Sequence, residues 1–128
     1  MGDDSSRSWL ALGRLLFGLG VALQAAEDFR DMEDAIEYAE SAGVPAPDLL
    51  APLASGMMLV GGLGTAFWRL PRVSTGAVAT FLAVVTPTMH DFWNADPDDQ
   101  SGERLAFFGN LAMFGGALAF LREAYSGD

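Results

Sequence analysis

Residues 73–93 read VSTGAVATFLAVVTPTMHDFW, and this stretch decides the fold. It carries no charge up to Met89 and then meets His90, which is the only histidine of the chain. A helix rises about 1.5 Å per residue, so about 20 apolar residues cross the roughly 30 Å hydrocarbon core of a bilayer. The stretch therefore predicts a membrane-spanning helix with a proton-exchanging side chain at its end.

Three further apolar blocks of similar length surround this one in a chain of 128 residues, 51% of which are hydrophobic. A soluble helical bundle would alternate apolar and charged faces along each helix, and these blocks have no such polar face. The sequence therefore predicts one all-α domain, an integral membrane bundle of four antiparallel helices. The predicted spans are residues 9–26, 49–68, 73–92 and 105–121.

Most of the 17 acidic residues fall between the spans, in two segments at 27–48 and 91–104. In the first segment Phe29, Met32 and Ile36 recur at helical spacing, which predicts a short helix lying on the membrane surface after the first span. The GVPAP sequence at 43–47 ends that helix, because glycine favours a helix C-terminus and proline cannot continue it.

The charge and the residue types exclude several classes of function. The net charge is −10, every basic residue is an arginine, and there is no cysteine. Disulfides, thiolate metal sites and cysteine catalysis are therefore excluded, and nucleic acid is not an expected partner. One histidine with scattered carboxylates such as Glu27 and Asp28 is a weak metal signature, so no metal is expected. An acidic, lysine-free surface suggests a salt-rich cell such as that of a halophilic archaeon.

The arginines predict the orientation of the bundle. An even number of spans places both termini on one side, and five of the seven arginines share that side. The positive-inside rule therefore predicts a multi-pass protein of the cell membrane with cytoplasmic termini and outward-facing acidic segments. The five are Arg7, Arg14, Arg69, Arg72 and Arg122.

Four motifs carry a family resemblance: GRLLFG at 13–18, GVPAP at 43–47, the Gly61-Gly62 pair and HDFW at 90–93. In this order and spacing they resemble the DoxX family of small four-helix membrane proteins, over roughly residues 9–121. The resemblance implies a membrane bundle linked to redox work, such as quinone-linked thiosulfate oxidation or a membrane oxidoreductase assembly.

The chain departs from the family pattern at two places. Relatives often carry a basic residue near the end of the first helix, where this chain has Glu27. They also often carry a glutamate a few residues before the paired glycines, where this chain has Met57 and Met58. If these charges serve catalysis in relatives, this chain has lost that activity or rearranged it.

His90 is the main candidate for a catalytic residue. A quinone headgroup lies at the depth of the membrane interface and needs a proton partner when it is reduced, a role that histidine suits. Thr86, one helical turn back, and Trp93 are expected to frame a pocket beside it. The alternative is that His90 caps the end of the helix and packs beneath Trp93 in an aromatic belt.

Arg14 is the fourth site candidate, because it is the one fixed charge inside a predicted span. It either faces a partner within the bundle and helps to bind the quinone, or extends its side chain to the near interface. The chain has no flavin, haem or iron–sulfur signature, so a quinone is the one cofactor expected, bound without a covalent link. The sequence thus predicts a quinone-interacting or accessory subunit, which contacts the lipid bilayer and either other redox subunits or further copies of itself. The alternative is a non-catalytic scaffold or small-solute carrier.

Overall fold

The computed structural model describes residues 2–126, with side chains from residue 4 onward, and this part of the chain forms five α-helices. Four of these helices are long and apolar enough to cross a membrane, which confirms the predicted all-α membrane bundle. The fifth, α2, is the short helix predicted after the first span, and its place at the membrane surface stays a prediction. The helices are α1 (Gly2–Arg30), α2 (Met32–Ser41), α3 (Pro47–Phe67), α4 (Pro71–Met89) and α5 (Pro97–Ser126), with a 3-10 turn at Phe92–Asn94.

The helices extend beyond the apolar blocks, so the two acidic segments are largely helical. The first span continues to Arg30 and the last begins at Pro97. Proline at a first helical position and acidic residues in the first turn both favour such a start. α4 ends at Met89, where His90 leaves the helical backbone conformation, and the 3-10 turn then carries the third candidate span to Asn94.

α3 is the central helix, with α1 on one side and α4 on the other. A Cβ atom added at Gly18 would lie 2.4 Å from the Gly62 carbonyl oxygen, so the backbones of α1 and α3 are in direct contact. Ala22 and Ala66 follow one turn later on the same faces, which gives each helix the small-xxx-small pattern of close membrane packing. On the other side of α3, a Cβ at Gly61 would lie 3.0 Å from Val78.

The two ends of the bundle differ. At one end, here called the Arg14 end, α5 closes against α1 through Phe17 and Phe120, whose rings are 5.3 Å apart. Arg14 lies there, 3.8 Å from Glu123 and with its guanidinium 4.4 Å from the Trp68 ring. The other end, here called the His90 end, contains α2 and a large cavity.

Candidate functional site

The cavity at the His90 end has a volume of about 960 Å³. This lies within the range of about 300–1,000 Å³ typical of small-molecule sites. Residues of α1, α2, α3 and α4 form its walls, and α5 contributes Asn110. Much of the wall is apolar, with large side chains that include Leu50, Leu53, Met57, Phe81 and Val84.

His90 is held at this cavity by the end of α4 and by the turn that follows it. Its backbone N–H donates to the Thr86 carbonyl oxygen at 3.0 Å, which completes the last turn of the helix. The chain then enters the 3-10 turn, where the Phe92 ring meets Phe107 of α5 edge to face at a centroid distance of 5.5 Å. These two contacts fix the backbone on both sides of His90.

Three titratable side chains from three different elements meet here, and we call Tyr38, His90 and Glu103 the triad. His90 Nδ1 lies 3.0 Å from Glu103 Oε2. The Tyr38 hydroxyl is in contact with Glu103 Oε1, lies 2.9 Å from the Met89 carbonyl oxygen and is 3.3 Å from His90 Nδ1. The triad therefore connects α2, the end of α4 and the first turns of α5.

The chemistry of the three groups assigns the protons of the triad. The phenol has one proton, and the Glu103 carboxylate is its strongest acceptor because that group is charged. With one Glu103 oxygen taken by Tyr38, the other accepts a hydrogen bond from His90 Nδ1–H. His90 Nε2 then carries the free lone pair, and it has no hydrogen-bond partner among residues 4–126.

Tyr38 stays a proton donor over a wide pH range. Partial burial raises the pKa of its phenol well above the usual value, and the hydrogen bond and negative charge of Glu103 raise it further. Ionised Tyr38 would face the Glu103 carboxylate at contact distance. Near neutral pH Tyr38 therefore keeps its proton.

The structure brings only one of the four predicted site residues to the described cavity, which is His90. Thr86 is 6% exposed among the helices, and its hydroxyl has no hydrogen-bond partner in the described chain. Trp93 is 54% exposed and packs against Phe92 and Phe107. Arg14 lies at the opposite end of the bundle, beside Glu123. The structure thus does not bring Thr86, Trp93 and Arg14 to a common pocket with His90.

Sequence reasoning missed the two partners of His90. Tyr38 lies three residues after Ala35 and one before Ala39 on α2, and all three line the cavity. Helical spacing could therefore have placed Tyr38 on the same face of α2 as these two alanines. Glu103 gave no such signal, because it is one of several carboxylates in an acidic segment. Among the described residues, no group of three or more histidine, cysteine or acidic side chains is arranged to hold a metal ion.

Comparison with known proteins gives one match. The profile of the DoxX family matches residues 9–91, which is well over half of the chain. This segment contains Tyr38 and His90 and stops before Glu103. No curated protein and no solved structure matches the chain.

Proposed function

Because the chain belongs to the DoxX family of membrane proteins, we propose that it is an accessory subunit of a membrane redox system that binds a quinone headgroup in the cavity. The observation that carries this proposal is the triad at the edge of a mostly apolar cavity in a membrane bundle. An apolar cavity with a few convergent polar groups is the usual form of a small-molecule site.

A quinone suits the chemistry of these walls. Its ring is flat and apolar, and side chains such as Phe81 and Met57 offer it matching surface. Its two oxygens need hydrogen-bond partners, and they need protons once the ring is reduced. His90 brings to this cavity an imidazole, the side chain that serves most often as acid and base in proteins.

The triad supports a path for the protons of a bound quinol. A quinol loses two electrons and two protons when it becomes a quinone. Nε2 of His90 would accept one quinol proton and pass it to water before it accepts the second, and Glu103 would stabilise the imidazolium through its contact with Nδ1. The two electrons would go to a redox centre on a partner subunit, because this chain has no cysteine and only one histidine with which to hold such a centre.

The test is quinone extraction from protein purified in mild detergent. We expect near-stoichiometric quinone in the wild type and loss of it in a folded His90→Ala variant. Trp93→Phe is the matched control, because Trp93 is three residues away and does not line the described cavity, so this variant should keep its quinone.

Three results would contradict the proposal. Quinone retained by folded His90→Ala would remove His90 from the site. Loss from the Trp93→Phe control as well would show that the effect is not specific to the cavity. Absence of quinone from all three proteins, with equal folding, would favour a non-catalytic scaffold.

A further inference from the structure

We propose that the cavity at the His90 end selects its ligands by charge, and that it binds lipophilic organic cations in preference to anions of the same shape. This inference rests on the cavity used in the proposed function, but not on a quinone being its occupant. It names a second chemical class of ligand, and it excludes anions of the same size and shape.

The charge of the cavity wall is one-sided. Four carboxylates line it, from the end of α1 and the start of α2: Glu27, Asp28, Asp31 and Asp34. Among the described lining residues, none is an arginine. The nearest cation in sequence is Arg30, which is exposed and pairs with exposed Glu27 at 3.1 Å, so its charge is screened by solvent. The wall therefore carries a net negative charge.

Asp28 lies where the acidic wall meets the apolar wall. Its carboxylate is half-buried, and Oδ2 accepts a hydrogen bond of 2.8 Å from the Ser55 hydroxyl. Ser55 is itself 4% exposed, so the bond fixes the carboxylate against α3. No arginine pairs with Asp28 among the described residues. A partly desolvated carboxylate without a cation attracts a positive ligand more strongly than an exposed one does.

The neighbouring carboxylates repel one another. Asp31 caps the start of α2 by accepting the backbone N–H of Asp34 at 3.3 Å. The pKa of Asp34 is raised by the hydrogen-bonding contact with Asp31, by the charge of Asp31, by desolvation and last by the charge of Glu33. A cation in the cavity would relieve this repulsion, whereas an anion would add to it.

The apolar part of the wall sets the second requirement, an apolar body. Leu53, Met57, Phe81 and Val84 line the same cavity and provide hydrocarbon and aromatic surface. Small hydrated cations gain nothing from such a surface, whereas a cation whose charge is enclosed by aromatic rings buries its apolar area there. Together the two walls match a lipophilic cation.

The test compares tetraphenylphosphonium with tetraphenylborate, which have nearly the same size and shape and opposite charge. Binding is measured as the ligand-dependent rise in unfolding temperature of the full chain in neutral detergent, with sodium chloride as the salt. We expect the cation to bind at least about tenfold more tightly than the anion, since one unit charge at close range in a protein has an effect of this order even when screened.

Matched variants assign the effect to the wall. Asp28→Asn keeps the acceptor for Ser55 and removes the charge, so cation binding should weaken about tenfold. Glu37→Gln removes the same charge from α2 at a residue outside the described lining, and it should bind as the wild type does. Comparison between proteins in the same detergent cancels the partition of each ion into micelles.

Either of two results overturns the inference: equal binding of the two ions by the wild type, or equal cation binding by Asp28→Asn and Glu37→Gln. The outcome is separable from that of the proposed function. Charge-selective binding in a protein that never holds quinone would sink the quinone proposal alone. Quinone lost with His90, without any preference between the two ions, would sink this inference alone.

Discussion

Replacement of Gly18 with alanine tests the packing of α1 against α3, on which the shape of the bundle depends. The added Cβ would lie 2.4 Å from both the Gly62 oxygen and the Ala66 nitrogen, about 1 Å inside the ordinary contact range that begins at 3.4 Å. Both obstacles are backbone atoms, so no side chain can turn away, and the two helices must separate. Overpacking of this kind costs about 1–3 kcal/mol, and the rigid surroundings place it at the upper end.

Part of that cost is offset by the helix propensity of alanine, which exceeds that of glycine by about 1 kcal/mol. We therefore expect Gly18→Ala to lower the free energy of unfolding by about 2 kcal/mol. The assay is reversible unfolding in mixed micelles, with helicity followed as the denaturing detergent increases.

Gly20→Ala is the internal control for the same helix. No described atom lies within 4 Å of a Cβ at Gly20, so this variant receives the propensity gain without the steric cost. It should be as stable as the wild type or more stable. If Gly18→Ala proves as stable as Gly20→Ala, the close contact of α1 with α3 does not exist as described.

Two further predictions concern the triad. The chain has one histidine, so the nuclear magnetic resonance spectrum of ¹⁵N-labelled histidine contains one pair of ring signals. We expect Nδ1 to carry the proton of the neutral ring in the wild type, and we expect Glu103→Gln to shift the population toward the Nε2-protonated form. An unchanged spectrum would contradict the Glu103 contact. For Tyr38, the raised pKa means that the unfolded chain ionises first, so its contribution to stability is complete below about pH 10 and falls above it. Unfolding midpoints measured from pH 9 to pH 11 should therefore fall less steeply in Tyr38→Phe than in the wild type, and parallel curves would refute this.

The membrane bundle was predictable because its signal is local. Each apolar block reports its own span, and small residues such as Gly18 and Gly61 mark the faces where helices approach. The ends of the helices were less predictable, since a helix can continue into water through polar residues once the apolar block has started it. α1 and α5 both continue through polar residues beyond their apolar blocks.

The site was less predictable because its contacts are not local. His90 could be singled out by residue type, but 52 and 13 positions separate it from Tyr38 and Glu103. The expected partner Thr86 was placed by helical spacing, and that spacing stops applying once α4 ends at Met89. Residue type alone thus located one member of the triad, and only the packing of three elements identified the other two.

The glycine contact between α1 and α3 also limits which parts of the bundle can move. If either helix slides along the other, a residue with a side chain takes the place of Gly18 or Gly62 at the contact. The opposing backbone leaves no room for a side chain there. α1 and α3, with α4 packed closely against the second glycine face, therefore act as a rigid frame. If the cavity takes a ligand, its entry would depend on α2 and on the nearby end of α5, which are joined to each other and to α4 by the Tyr38 hydroxyl.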